Sequence, residues 1–178
     1  SLEGGLGELV AGAADSLESR CRIRLNTRVK SIERISSGEE FGVELESGES
    51  TRADAVVLAV PCQVAAGLSA GLSSGLATQL GGIETASSVV VISGHRLDQV
   101  DHALDAYGLV VPRIEDRRVL AVSFASRKLA GRAAEGRVLL RTFLGGVLQP
   151  ELLNCDDQEL GALVGEELES LLGVRGEP

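Results

Sequence analysis

Tryptophan and methionine are absent from these 178 residues, and with one Tyr and three Phe the aromatic fraction is only 2%. A core made from such material must be Leu, Val, Ile and Ala, which dominate the 44% apolar fraction. A chain of this length buries roughly 70% of its unfolded surface, so it needs no metal or disulfide to hold a core. The three cysteines, Cys21, Cys62 and Cys155, are far apart, odd in number and without a CxxC pair. That excludes a disulfide framework or a thiolate metal knot and fits buried, inert thiols in a reducing compartment. No apolar run approaches the roughly 20 residues of a membrane-spanning helix, and no charged-then-apolar signal pattern opens the sequence. Basic residues are outnumbered, 17 Lys and Arg against 26 Asp and Glu, for a net charge of -9. Phosphate backbones need a basic surface, so a nucleic-acid partner is not expected. The acidic residues are spread along the chain as a solvated surface. The first residue is Ser and the last three, Gly176-Glu177-Pro178, close no element, so the sequence reads as a segment of a longer protein.

What is present is organised around three short runs rich in Val, Leu and Phe: Tyr107 to Pro112, Val119 to Ser126 and Arg137 to Gly146. Each is bounded by Gly, Pro or charged residues, the pattern of strands buried on at least one face. They are expected to form an apolar wall without acid/base groups, since Glu115, Asp116 and Glu135 fall in the connections.

Upstream, Leu6, Leu9, Val10, Ala13, Ala14 and Leu17 recur at helical spacing and predict an amphipathic helix from Gly7 to about Ser19, introduced by Gly4-Gly5. Arg22 to Leu25 and Val29 to Ile35 read as strands. Phe41, Val43 and Leu45 alternate with polar residues in another, after a hairpin loop at Ser36 to Glu40. Ala55 to Val60 is apolar on both parities, which predicts a strand covered on both faces. Pro61 suits the start of a helix. The Gly/Ser/Ala-rich stretch from Gly67 to Gly82 is a candidate lobe boundary, and Ser87 to Ser93 reads as a further strand. Asp156 with Glu159 forms a capping-box pattern ahead of a helix with Leu160, Leu163, Val164, Leu168, Leu171 and Leu172 on one face, stopped by Gly173. The expected architecture is α/β in the α+β sense: strands from Arg22 to Val60 in a smaller piece, and a mixed sheet from Ser87 to Leu144 backed by the last helix.

Few motifs carry chemistry. Gly5-Leu6-Gly7 is followed by Val10 where a dinucleotide fingerprint needs its third glycine, and no strand precedes it. It reads as a helix-start turn. His95 and His102 are read as loop residues without ligand-spaced Cys or carboxylate partners, so no metal site is expected. Ser123 and Ser126 lack a GxSxG context. Arg113, Arg117, Arg118, Arg127, Lys128 and Arg132 cluster in turns, solvated or, for one or two, available to pair with substrate carboxylates. No catalytic residue is identified.

Taken in order, Gly4-Gly5-Leu6, Val29, Ala53 to Pro61 (with VVLAVP), Tyr107 to Glu115 (with YGLVVP), Ser123-Phe124-Ala125-Ser126, Gly131-Arg132-Ala133 and Phe143-Leu144-Gly145-Gly146 resemble the middle part of the oxygen-dependent protoporphyrinogen oxidases, over essentially the whole chain. The glycine pair and the VVLAVP segment are shared with the wider flavin amine oxidase and phytoene desaturase group. The YGLVVP, SFAS and FLGG segments in this order are more specific.

The resemblance implies a FAD enzyme of haem biosynthesis whose flavin domain is assembled from distant parts of the chain around an inserted substrate domain. Residues 1–60 would then be partial flavin domain, lacking the GxGxxG strand-turn-helix, and residues 61–178 substrate-binding domain. It further implies that the backbone of Val29 meets the adenine end of FAD and that Ala59, Val60 and Pro61 pass close to the cofactor. Tyr107, Gly108, Val110, Ser123 and Phe143 would meet the tetrapyrrole. The family usually has Phe at the position of Tyr107 and often an apolar residue at that of Ser123. A cytoplasmic location is expected, with peripheral membrane contact through a segment outside this chain. The 178 residues alone are expected neither to bind FAD tightly nor to turn over. The alternatives are a flavin amine oxidase or phytoene-desaturase-like enzyme, and a non-catalytic binding module that keeps the sheet.

Overall fold

The computed structural model describes residues 4–35 and 40–178, which form two units, Gly7–Thr85 and Ala86–Pro178, the latter joined by residues 4–6. The α+β class holds.

The Gly7–Thr85 unit opens with α1 (Gly7–Leu17), which forms as its periodicity predicts but buries none of its residues. A three-stranded antiparallel meander follows in the order β1 (Val29–Arg34), β2 (Phe41–Leu45), β3 (Ser50–Ala53). Ile32 faces Val43, Val43 faces Thr51, and Ile32 and Leu45 are buried. Residues 36–39 of the expected hairpin loop lie outside the described residues, while Ile35 N donates to Glu40 O at 2.9 Å and carries the pairing to the loop's edge. Lys30 reaches across to Glu44 at 2.7 Å and Ser31 Oγ donates to the same carboxylate at 3.1 Å. The Lys30 hydrogen bond first, then that of Ser31, holds Glu44 below the usual carboxylate range.

Two expected strands of this unit do not form. Arg22 to Leu25 is irregular: Ile23 and Leu25 are exposed and have no face to bury, and Arg24 instead makes a two-pronged bond to Glu49 at 2.9 and 2.7 Å. Residues 54–60 are extended but join no ladder, and their backbone makes no hydrogen bond to the backbone of the described residues. Val56 and Leu58 are half-buried and line a cavity together with Ile32, Phe41, Leu72 and Leu76, while Val57 is 90% exposed. An apolar run on both parities signals neighbours on both faces, and the described residues cover one. Pro61 does start a helix, as cap of α2 (Cys62–Ser69), its carbonyl accepting from Ala65 N at 2.9 Å. The small-residue stretch read as a lobe boundary is helical, continuing into α3 (Ser74–Gly81). Its small residues let it pack against the meander, since a Cβ at Gly71 would already stand 3.2 Å from Ile32 O. The division between units falls at residues 85 and 86.

The second unit is a four-stranded sheet in the order β4-β7-β6-β5, with β4 Ser88–Arg96, β5 Gly108–Val110, β6 Val119–Phe124 and β7 Arg137–Gly145. Every pairing is antiparallel, so the sheet is not mixed as expected. Residues 111–118, between β5 and β6, are too short for the crossover a parallel neighbour requires, and residues 125–136, between β6 and β7, hold only the one-turn α4 (Ala125–Lys128). β7 lies centrally because it pairs along its whole length with β4 and also with β6.

One face of this sheet is sealed by α5 (Asp157–Leu172). Asp156 accepts from Gln158 N and Glu159 N at 2.9 Å each, Glu159 reaches back to Asp156 N at 2.9 Å, and Gly173 closes the helix at φ 62°. Leu160, Val164, Leu168 and Leu172 are the buried stripe. The last three pack in one cluster with Val119, Val122, Phe124, Val138, Leu140 and Leu144 of the sheet. Glu167 ties the helix to the start of β6, accepting from Arg117 Nη1 at 3.0 Å and Arg118 N at 3.2 Å.

Three polar residues sit on this sealed face, Ser93, His95 and Thr142. His95 lies in β4 opposite Val138, not in a loop, because the ladder with β7 runs on through Gly94 and Arg96. It is buried, Nε2 lies 2.9 Å from Ser93 Oγ, and burial pushes its pKa down from 6.5. The folded state therefore favours the neutral ring while the unfolded chain protonates near 6.5, so the His95 contribution is complete above that value and is lost as pH falls below it. A series of thermal melts from pH 7.5 to 5 should show falling stability, with a smaller slope in His95→Gln. Thr142, fully buried in β7, has a hydroxyl without a hydrogen-bond partner among the described residues. Thr142→Val removes an unsatisfied group while keeping shape, and should raise stability by about 1 kcal/mol in urea unfolding.

Candidate functional site

The strand register decides which side chains share a face. Val110 pairs with Ala121, Ala121 with Phe143 and Phe143 with Val90, so these four form one lateral row across the sheet. In the adjacent row Gly108 faces Ser123, Ser123 faces Arg141 and Arg141 faces Ile92. Both rows lie on the face opposite α5, because alternate residues, Val122, Phe124, Leu140, Thr142 and Leu144, fill the core.

This second face is apolar and open. Val110 is 79% and Ile92 61% exposed, Val90 is also exposed, and Ala121, Ser123 and Phe143 are half-buried. Four of the five residues expected to meet a tetrapyrrole, Gly108, Val110, Ser123 and Phe143, are thus brought together. Tyr107 precedes β5, exposed, its carbonyl accepting from Phe124 N at 3.0 Å. The chain can approach β6 this closely only because residue 108 is glycine. Its φ is 152°, and a Cβ there would stand 2.4 Å from Val122 O. Gly145 and Gly146, at φ 84° and 79°, end β7 and bring Gly146 N to Ser87 O at 2.9 Å.

The remaining expected contacts lie in the other unit. Val29 opens β1, half-buried and paired with Leu45, while Ala59, Val60 and Pro61 form the exposed lead into α2. The segment 54–60 suits a neutral, flat group: Ala59 is small, Ala55 to Pro61 carry no charged side chain, and the backbone groups are free of backbone partners among the described residues. No group of three or more His, Cys, Asp or Glu that could hold a metal is present among the described residues.

Of the turn cations, Arg117 is taken by Glu167 and Ser170, and Arg127 Nε donates to Leu104 O at 3.1 Å. The cation on the open face is one that the turn-based reading passed over. Arg141, inside β7, holds its guanidinium 5.4 Å from the Phe143 ring centre. Strand alternation could have found it: Arg141 and Phe143 share a parity, so whichever face takes one takes the other.

Comparison with known proteins bears on the family and the fold. The chain is 34% identical over 179 aligned residues to a coproporphyrinogen III oxidase of Propionibacterium freudenreichii subsp. freudenreichii, covering 100% of this chain and 32% of that protein. It is 27% identical to the chloroplastic protoporphyrinogen oxidase of Nicotiana tabacum, covering 89% of this chain and 31% of the relative. A crystal structure from Exiguobacterium sp. 255-15, provisionally named a protoporphyrinogen oxidase, superposes with a TM-score of 0.80 at 26% identity over 100% of this chain and 38% of its own. A putrescine oxidase variant shares the fold at a TM-score of 0.68 and 15% identity, covering 96% of this chain and 36% of its own. The chain thus spans about a third of the length of the relatives it matches. The model of the flavin-containing amine oxidoreductases matches residues 2–178, and with the shared fold and the porphyrinogen oxidase relatives this shows that the chain belongs to that flavoenzyme family.

Proposed function

We propose that this chain supplies part of the flavin-holding lobe and the substrate-binding sheet of a FAD-dependent porphyrinogen oxidase of haem biosynthesis, with oxygen as final acceptor. One observation carries the reading: Gly108, Val110, Ser123 and Phe143 share an open apolar face opposite the helix-covered core. A macrocycle laid on that face buries its body against Val90, Ile92, Val110 and Phe143, at roughly 25 cal/mol per Å² of apolar surface removed from water. Val29 and Ala59 to Pro61 are the residues of this chain that would hold the flavin, chiefly through backbone groups. When bound, the flavin supplies the two-electron acceptor for hydride from a bridging carbon of the porphyrinogen, so the hard chemistry is the cofactor's. What the protein side chains contribute is position and dryness, and the apolar face needs no acid/base pair for that. By ligand, the division falls at residues 60 and 61, with Pro61 the cofactor contact at the boundary itself and every substrate contact after it. A cytoplasmic enzyme in peripheral contact with a membrane fits this role.

The experiment is turnover by the complete protein with FAD, followed as porphyrin fluorescence, with coproporphyrinogen III, protoporphyrinogen IX and putrescine as substrates. Fluorescence with either porphyrinogen is expected. Oxidation of the amine with no porphyrin formed would reject the proposal.

A further inference from the structure

In a chain with 26 acidic residues against 17 basic ones, an unpaired cation on an apolar face stands out. The open face of the second unit presents Ser88, Val90, Ile92 and Gly94 of β4, Leu139, Arg141 and Phe143 of β7, Ala121 and Ser123 of β6, and Gly108 and Val110 of β5. No Asp or Glu is among them. Seven cations pair with carboxylates among the described residues, and Arg141 is not one of them. Its guanidinium is held near the Phe143 ring, 5.4 Å from the centre. That contact limits its rotamers and leaves its forked N–H donors available. Directly opposite on β6 stands Ser123, where cross-strand partners have their Cβ atoms about 4.5–5.5 Å apart. A hydroxyl and a guanidinium side by side, flanked by Ile92 and Phe143, make a donor pair in apolar surroundings.

We infer that Arg141, with Ser123 beside it, binds a carboxylate of the ligand whose apolar body lies on this face. Arginine forks match carboxylates with two parallel hydrogen bonds, and a ligand body laid on the face beside Ile92 and Phe143 would screen the pair from water and strengthen it. The ligand class is an apolar, flat molecule bearing acidic arms. This inference rests on the tetrapyrrole reading above and deepens it, because it makes the acidic side chains, and not the macrocycle alone, part of what the sheet recognises. Ser123, where the resembling family often has an apolar residue, then has a role as the second donor.

The test is fluorescence titration of the 178-residue chain with coproporphyrin III, which carries four carboxylates, and with its tetra-amide, the same macrocycle without negative charge. The wild type is expected to bind the acid more tightly. Arg141→Gln should weaken binding of the acid about tenfold, the effect of losing a charge-assisted bond, and change binding of the amide less than about twofold. Arg141→Lys, which keeps the charge and loses the fork, should fall between. If the acid binds equally well to wild type and Arg141→Gln, the inference fails while the tetrapyrrole reading stands. Equal weakening of acid and amide would mean that Arg141 acts by packing on Phe143, and also overturns it. A wild type that binds neither porphyrin overturns both the inference and the assignment of this face.

Discussion

Gly108→Ala should be the most damaging single-methyl change on the site side of the sheet, costing at least about 2 kcal/mol and abolishing porphyrin binding. Two effects combine. Residue 108 sits at φ 152°, and the new Cβ would meet Val122 O at 2.4 Å and Ser123 Cα at 3.0 Å. Both of those atoms are backbone and cannot swing aside. β5 is an edge strand of three residues, paired only with β6, so it will yield by peeling away and will take Val110 off the face. Gly94→Ala is the matched control: it lies in β4 on the same face with no atom within 4 Å of the added methyl. It should stay within about 0.5 kcal/mol of wild type. With no tryptophan in the chain, urea unfolding should be followed by circular dichroism. A Gly108→Ala protein as stable as Gly94→Ala would show that β5 does not hold the observed register.

The second large effect separates the two faces. Phe124→Ala opens a cavity under α5, where Phe124 is buried and its ring lies 5.6 Å from that of His102. It should cost about 3–5 kcal/mol. Phe143→Ala removes the same number of atoms from the half-buried open face and should cost only about 1 kcal/mol. Binding should rank the other way round, with Phe143→Ala weakening coproporphyrin III about tenfold at temperatures where both variants are folded. Equal stability losses for the two would mean that the face carrying Phe143 is core, and would remove the basis of the proposed function.

These contrasts also show what the amino-acid order could and could not reveal. The α5 helix was legible because its signals agree: a capping box at Asp156 and Glu159, leucines at helical spacing, and glycine at the left-handed stop. Strands β6 and β7 were legible as strands, but their apolar residues occupy both parities, so alternation alone could not say which set faces the helix. Only the register, Ala121 against Phe143 and Val122 against Thr142, sorts core from open face. His95 was misplaced because Gly94, His95 and Arg96 carry no strand signal of their own. They are drawn into β4 by their partners Leu139, Val138 and Arg137. The extended run at 54–60 failed for the opposite reason, a strong strand signal without neighbours to pair with. The likeness to the porphyrinogen oxidases, by contrast, was carried by short ordered segments and did not depend on those local assignments.

The extended run has a further consequence. Residues 55–60 form a six-residue apolar stretch, bare of charge, whose peptide groups lack backbone partners among the described residues. Such a stretch can template a neighbouring copy, adding strand to strand until fibrils grow. Asp54 and Pro61 bracket it, one repelling its counterpart and the other unable to donate, the gatekeeper arrangement that holds self-association in check. Substituting both brackets together would turn a docking edge into a seed for aggregation.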